Sequence, residues 1–192
     1  MKRRDALAWL SRGLAAAAAS VVAVPGVQYI AGTMQRAPSV ATRFRRVARL
    51  ADVPADRPQL VPILGQRQDA WIHHGEQVVG RVWLVRNAPR DGDASAEANG
   101  EVHAFTSLCP HMGCQIQLRA GGESFVCPCH KAAFGRDGSR LPASETGERN
   151  HAPRGMDRLE TRVAQDETSG EWWVEVKYEK FQLGLTRQVP CA

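Results

Sequence analysis

The sequence predicts a mostly β, antiparallel fold preceded by one N-terminal transmembrane helix. The chain carries no charge from residue 13 to residue 34, and about 20 apolar residues are enough to cross a bilayer core of about 30 Å. After residue 58, apolar and polar residues alternate in short segments without a long amphipathic helical pattern, which is typical of antiparallel strands. We therefore expect a signal or anchor at 1–34, a hinge at 35–58 and a β domain at 59–192.

The positive charge of the chain is confined to its N-terminal part. Residues 1–50 contain nine Lys or Arg and one Asp, whereas residues 51–192 contain sixteen Lys or Arg and nineteen Asp or Glu. The β domain is therefore slightly acidic, and it shows no basic patch with interleaved aromatic residues. This distribution argues against a nucleic-acid partner.

The first element is an apolar segment behind a basic start, "MKRRDALAWL", which indicates a signal peptide or a membrane anchor. The start resembles a twin-arginine export signal, with Arg3 and Arg4 as the arginine pair and Leu7 near the usual apolar position. That export route suits a domain that folds around a cofactor before it crosses the membrane. We expect a single pass through a bacterial cytoplasmic membrane, with the β domain on the periplasmic side.

The second element, residues 35–58, is predicted to be a hinge or linker. Apolar residues recur in it at helical spacing among four arginines. A short basic helix on an anionic membrane surface and a solvated linker fit this pattern equally well. Pro54 and Pro58 end any helix here. The apolar positions are Val40, Phe44, Val47 and Ala51.

The β domain contains five segments with the alternation and the Val, Trp and Phe content of strands. A hairpin turn is predicted at "HHGEQ", residues 73–77, and a polar surface loop at 88–100. The domain is therefore expected to be mostly antiparallel β, with a cysteine-bearing insertion between strands. The strand segments are 78–87, 101–107, 123–128, 158–164 and 171–178.

The insertion carries the motif "CPHMGC", residues 109–114, followed by "CPCH", residues 127–130. These segments hold four of the five cysteines and two of the six histidines. In each, a Cys and a His two or three residues apart can reach one metal site from a tight turn, and each has a spare cysteine. The fifth cysteine, Cys191, is expected to be an unpaired thiol.

Three interpretations of this motif remain at the level of the residues. A structural zinc site takes four ligands, but zinc fingers usually pair two cysteines on one arm and two histidines on the other. A disulfide framework would leave the histidines incidental. A two-iron cluster would bind both cysteines on one iron and both histidines on the other.

The motif resembles that of the Rieske [2Fe–2S] proteins, and in particular the Rieske subunits of quinol–cytochrome oxidoreductases. The resemblance implies an antiparallel β-sandwich with a cluster-binding subdomain at about 107–155. It implies one [2Fe–2S] cluster with Cys109 and Cys127 on one iron and His111 and His130 on the other. It also implies a disulfide between the spare cysteines, Cys114 and Cys129, and a proline loop, "HAPRG", that covers the cluster with Pro153. The other four histidines, His73, His74, His103 and His151, are expected at the surface or in the hinge.

The chain departs from the high-potential members of this family after the second histidine. Those members have a Ser and a Tyr whose hydroxyls donate hydrogen bonds to the cluster sulfurs, where this chain has Ala132 and Phe134. Loss of these bonds is expected to lower the reduction potential. Lys131 stands where Gly is common, and its charge would raise the potential only if it pointed inward. A low potential favours menaquinol as the electron donor.

The resemblance implies a membrane-anchored respiratory electron-transfer subunit that makes no product alone. Quinol would hydrogen-bond to an exposed imidazole, expected at His130, beside a cytochrome b-type membrane subunit. The domain would then swing on residues 35–58 to reduce a c-type cytochrome. The alternative is the Rieske subunit of another exported oxidoreductase such as arsenite oxidase. An oxygenase would need a mononuclear iron site in a further large domain, for which this sequence offers no segment.

Overall fold

The computed structural model describes residues 3–34, 43–69, 72–87, 101–147 and 149–191. The chain divides into two units, which are described separately: residues 1–38 with 68–72, and residues 39–67 with 73–192. The elements in chain order are α1 (Arg3–Met34), β1 (Phe44–Arg49), a 3₁₀ turn (Leu50–Asp52), β2 (Gln59–Asp69), β3 (Ile72–Arg86), β4 (Val102–Thr106), β5 (Gln117–Leu118), β6 (Ser124–Val126), β7 (Ala133–Gly135), α2 (Ala143–Thr146), β8 (Arg158–Gln165) and β9 (Trp172–Lys177).

Helix α1 is long and apolar enough to cross a membrane. The apolar stretch within it runs from Arg3 to Gly32 and has a mean hydropathy of 1.7 in its best window. At 1.5 Å per residue its uncharged part, from residue 13 onward, is about 33 Å long, which matches a bilayer core. Pro25 lies inside the helix, a position that membrane-spanning helices tolerate better than soluble ones.

The base of the β domain is a six-stranded antiparallel sheet in the order β1-β9-β8-β4-β3-β2. Strand β8 pairs with β4 through Arg158 and Leu159 and with β9 from Glu160 to Gln165, so it links the two halves of the sheet. The Arg45 side chain on β1 donates to the Leu64 carbonyl on β2 at 2.9 Å. The two edge strands therefore approach each other and the sheet is nearly closed.

Strand β3 connects the base to the part of the domain that carries the two Cys-His segments, here called the cluster end, because its two faces bury side chains in two different cores. Val82 and Leu84 belong to the core of the base, whereas Trp83 and Val85 belong to the core of the cluster end. This division follows from the two-residue period of a strand. The base core is formed by Leu50, Val53, Val61, Ile63, Val82, Leu84, Val102, Ala104, Leu159, Val174, Val176 and Tyr178. The cluster-end core is formed by Trp83, Val85, Phe105, Cys109, Ile116, Phe125, Cys127, Ala132, Phe134, Ala152 and Met156.

Residues 44–58 belong to the β domain, which differs from the predicted hinge and from the helix considered there. Strand β1 pairs with β9 from Phe44 to Arg49, and the turn that follows buries Leu50 and Val53. Two of the arginines of β1 pair with acidic groups of the domain, Arg46 with Asp166 at 2.6 Å and Arg49 with Glu171 at 3.2 Å. The pairing strand lies more than 120 residues away in sequence, so no local pattern reveals it. The remainder of the predicted hinge, residues 35–42, lies outside the described residues.

All five predicted strand segments overlap a strand of the structure, and the mostly β fold class is confirmed. The turn predicted at residues 73–77 is wrong, because β3 runs without interruption from Ile72 to Arg86. The polar loop predicted at 88–100 lies outside the described residues. Strands β1, β2, β5 and β7 were not predicted.

Candidate metal centre

The small sheet β5-β6-β7 brings the two Cys-His loops to one end of the molecule. Loop 1, residues 108–115, leads into β5, and loop 2, residues 127–132, joins β6 to β7. Gln117 at the start of β5 pairs with Val126 at the end of β6, so loop 1 ends where loop 2 begins. Antiparallel pairing alone therefore places the two loops side by side.

Loop 1 is a tight turn closed by its own backbone. The Gly113 N–H donates to the Cys109 carbonyl and the Cys109 N–H donates to the Cys114 carbonyl, both at 2.8 Å. Gly113 has a φ of +76°, which glycine adopts at little cost. This turn holds His111 at its tip, where the ring is partly exposed.

Loop 2 is the connection of a two-stranded hairpin. The Cys127 N–H donates to the Ala132 carbonyl at 2.8 Å, and Val126 pairs with Ala133. Lys131 has a φ of +58°, and it is the one non-glycine residue with a positive φ among the residues that the structure describes. The loop leaves His130 exposed beside a buried Cys127.

Two free thiols and two imidazoles converge between the loops. Cys109 and Cys127 are free and buried, and the rings of His111 and His130 meet edge to face with centroids 4.7 Å apart. Burial raises the pKa of the Cys109 thiol to about 12 and the neighbouring Cys127 adds to the rise, against the lowering effect of the His111 and Met112 N–H groups. Ionising this thiol in a dry site is costly unless a cation neutralises it.

A disulfide joins loop 1 to loop 2 through Cys114 and Cys129, with their Cα atoms 6.6 Å apart. The sulfur atoms of these two residues and of Cys127 all lie within 4.8 Å of one another. This trio is not a metal site by itself, because two of its sulfurs are bonded to each other and offer no thiolate. The donors that remain are Cys109, Cys127 and the two imidazoles.

A third loop, residues 150–155, covers the same end and contains Pro153. The buried Asn150 side chain holds it by donating to the carbonyls of Ala133, at 2.6 Å, and Leu141, at 3.0 Å. The His151 ring is exposed and lies roughly parallel to His111 with centroids 6.2 Å apart. His151 was expected to be a surface residue, and it is one, but its position beside His111 was not foreseen.

The donor set fits a two-iron cluster with mixed ligands. Two buried thiols can bind one iron and two imidazoles the other, and the opposing loops provide one of each. The Rieske [2Fe-2S] domain family matches residues 44–152 of this chain. The chain belongs to the Rieske [2Fe–2S] family. A Rieske domain binds a [2Fe–2S] cluster; the assignment of Cys109, His111, Cys127 and His130 as its ligands here stays a prediction.

Several proteins of known role resemble parts of the Rieske chain. It is 26% identical over 65 residues to the menaquinol:cytochrome c reductase iron-sulfur subunit of Geobacillus thermodenitrificans, covering 32% of this chain and 38% of that protein. It is 35% identical over 69 residues to choline monooxygenase of Amaranthus tricolor, covering 35% of this chain and 16% of that one. The solved plasma membrane Rieske protein PetC3 of Synechocystis PCC 6803 has a TM-score of 0.40 and 25% identity, over 68% of this chain and 97% of that one. The chain thus spans well under half of the length of these two curated relatives.

The remaining sequence-predicted residues lie in different parts of the β domain. Ala132 and Phe134 are fully buried in the core that contains Cys109 and Cys127, so both predicted potential-tuning positions share a core with candidate ligands. Cys191 is exposed and free. His103 lies away from the loops and contacts Arg158 at 2.6 Å, while the side chains of His73 and His74 lie outside the described residues.

Sequence reasoning missed the residues that brace the third loop. Asn150 and Arg154 hold this loop through backbone carbonyls that are distant in sequence, and no motif marks such contacts. The positive φ of Lys131 was signalled only by the observation that Gly is common at this position in the family.

Proposed function

We propose that this chain is the membrane-anchored iron–sulfur subunit of a bc-type respiratory complex. It takes an electron and a proton from quinol and passes the electron to a c-type cytochrome, next to a cytochrome b-type membrane subunit. The observation that carries the proposal is the pair of loops that a disulfide braces at an exposed end, with His130 at the surface. The similarity to a menaquinol:cytochrome c reductase subunit supports it.

Each residue of the site has a distinct part in this proposal. Cys109 and Cys127 would hold one iron in the dry core, and His111 and His130 would hold the other. The bound cluster supplies a one-electron acceptor and donor. His130 is the more exposed of the two imidazoles, so its ring is the group to which a quinol hydroxyl can donate a hydrogen bond and then its proton.

Menaquinol is the quinol that the site favours. Ala132 and Phe134 offer no hydroxyl, and both are fully buried in the core that contains the candidate cysteine ligands. Without those hydrogen-bond donors the more negative, reduced cluster is less stabilised, which lowers the potential. A low-potential acceptor matches a low-potential quinol.

Helix α1 would anchor the subunit in the bacterial cytoplasmic membrane, with the β domain on the periplasmic side. The length and composition of the helix support an anchor, and the disulfide supports an oxidising compartment. Export through the twin-arginine route by Arg3 and Arg4 belongs to the same proposal. Residues 1–34 would then be the anchor, with the hinge between it and strand β1.

The test uses membranes that contain the full chain with its cluster, read by electron paramagnetic resonance. Reduction by a naphthoquinol at a rate well above that of a benzoquinol of higher potential, with a low average g value, is the expected result. A cluster that neither quinol reduces, but dithionite does, would refute quinol oxidation. Purification from mild detergent separates the two candidate complexes: a cytochrome b-type subunit is expected to accompany the chain, and a molybdopterin subunit would favour the arsenite-oxidase class.

A further inference from the structure

The chain ends in a segment that folds back onto the cluster end, here called the C-terminal strap, residues 179–191. Its two arms are closed by hydrogen bonds from the Cys191 N–H to the Lys180 carbonyl, at 2.7 Å, and from the Gln182 N–H to the Val189 carbonyl, at 2.8 Å. Phe181 packs against the base core. The strap therefore begins at the base, and the turn between its two arms, here called its tip, lies away from the Phe181 contact.

The tip of the strap contacts loop 1 on both sides of His111. The Gly184 N–H donates to the Pro110 carbonyl at 2.8 Å. On the other side of His111, a Cβ placed on Gly113 would lie 3.0 Å from Cδ1 of Leu183, so the Leu183 side chain rests directly on this glycine. The strap thus limits the movement of the backbone that carries His111.

Arg154 of the third loop holds the strap in this position. Its guanidinium binds Asp157 through two hydrogen bonds, Nε to Oδ1 at 2.7 Å and Nη2 to Oδ2 at 2.8 Å. It also donates from Nη1 to the Leu185 carbonyl at 2.6 Å and from Nη2 to the Gln182 carbonyl at 2.9 Å. The side chains of Arg154 and Asp157 are only 8% and 4% exposed.

The geometry of Arg154 indicates a role that stability alone does not explain. A buried ion pair gains little net stability over well-packed apolar residues because both charges lose their water. A planar guanidinium, however, fixes the directions of all its acceptors at once, which an ammonium or an apolar side chain does not do. Here those acceptors lie on two segments, at Asp157 immediately before β8 and in the strap.

We propose that Arg154 is a positioning residue for the metal centre, which fixes the loop that carries His111 by holding the C-terminal strap against it. Loop 1 is then braced from two sides, by the Cys114–Cys129 disulfide and by the strap. His151, in the same loop as Arg154, lies beside the His111 ring, so the position of the third loop is set by the same contacts. The proposal rests on His111 being a ligand and not on the identity of the electron donor.

The test compares Arg154→Lys with Arg162→Lys in the full chain with its cluster. Arg162 on β8 is the control because its guanidinium also binds a carboxylate, donating to Glu175 of β9 at 2.8 Å, but it contacts neither the strap nor loop 1 in the described residues. In Arg154→Lys, hydrogen exchange of the amides at 109–116 is expected to accelerate at least tenfold, while amides of β8 and β9 keep their rates. The midpoint potential is expected to rise, because water admitted around loop 1 stabilises the more negative reduced state. Arg162→Lys is expected to change neither.

Two results would overturn the proposal. Unchanged exchange and potential in Arg154→Lys would show that the strap does not need the guanidinium. Equal acceleration in loop 1, β8 and β9 would show that Arg154 only adds to the stability of the whole domain. If Arg154→Lys does not retain iron, hydrogen exchange is measured on Leu183→Ala instead. This variant leaves every Arg154 bond in place and removes the strap side chain that lies on Gly113. An unchanged exchange rate at 109–116 would then reject the proposal. If quinols fail to reduce the wild-type protein, the proposed function is refuted. The hydrogen-exchange and midpoint-potential measurements would still test the role of Arg154.

Discussion

The base and the cluster end of the Rieske domain are held together by different means. The base has strands of five to fifteen residues and a core of aliphatic side chains and one tyrosine, so burial and long ladders of hydrogen bonds specify it. The strands of the cluster end, β5, β6 and β7, have two or three residues each. They depend on a disulfide, on Asn150 and on Arg154.

The part of the domain with the long strands is therefore separate from the part that carries the candidate ligands. Strand β3 belongs to both cores, so the base fixes where the cluster end sits. The loops at the far end are short turns whose cysteine donors are packed in the core of that end and which a disulfide also links to each other. A site of this kind can keep its histidines exposed without exposing its cysteines.

The largest difference between the two regions is expected when a candidate metal ligand is removed. Replacing Cys109, His111, Cys127 or His130 by Ala is expected to abolish the cluster and its visible colour, because water matches neither the charge nor the direction of the lost donor. The base should keep its β circular dichroism, since none of the four residues belongs to its core. Iron and sulfide analysis checks this, and full cluster content in any of the four variants would refute that ligand.

The second test removes the disulfide brace. Cys114→Ser and Cys129→Ser are expected to leave a cluster that forms but is easily lost, because the ligands remain while the loops are no longer linked. A link across 15 residues stabilises by about 3 kcal/mol in the chain-entropy account. Mass spectrometry of unreduced protein should show the 114–129 link and an alkylatable Cys191.

The control for this test lies in the base. Leu84→Ala removes a fully buried side chain of the base core and is expected to lower the free energy of unfolding by roughly 2–5 kcal/mol. It should leave the rate of cluster loss from folded protein unchanged. Equal rates of cluster loss in Cys114→Ser and Leu84→Ala would contradict a special role for the brace.

The same contrast explains what the sequence could predict. The five strand segments were found because alternation in β3, β4 and β9 places side chains on opposite faces. The loops that carry the candidate ligands could be located because their motif is compact. Strand β1 was missed because its partner β9 is remote in sequence. Arg154 and Asn150 were missed because their acceptors are backbone carbonyls, which leave no trace in the amino-acid pattern.

A third, smaller effect concerns Lys131 in loop 2. A side chain at a φ of +58° is strained by its Cβ, at about 1–2 kcal/mol, and glycine relieves this while losing part of the gain as chain entropy. Lys131→Gly is therefore expected to stabilise the domain by up to about 1 kcal/mol, measured by chemical denaturation. Lys131→Ala is the control, since it removes the same exposed ammonium and keeps the Cβ. An equal gain in both variants would assign the effect to charge.

The last prediction concerns the midpoint potential of the cluster and involves the smallest structural change, the addition of a single hydroxyl. Ala132 and Phe134 are fully buried with Cys109 and Cys127, and the Ala132 carbonyl accepts from the Cys127 N–H at 2.8 Å. Ala132→Ser and Phe134→Tyr are expected to raise the midpoint potential, and the double variant should exceed either single one. Each charge-assisted hydrogen bond is worth roughly 1.5–3 kcal/mol, but only the part that differs between the oxidised and reduced states moves the potential.

The matched control for this prediction is Ala133→Ser. Ala133 is as deeply buried as its neighbours but lies outside the core that contains the cysteines, because successive residues of a strand point to opposite faces. Protein-film voltammetry of the wild type and the four variants should therefore show a rise for positions 132 and 134 and none for 133. A rise at 133 of the same size would mean that any added hydroxyl loosens the cluster end. A fall or no change at 132 and 134 would place them away from the sulfurs and remove the main support for menaquinol.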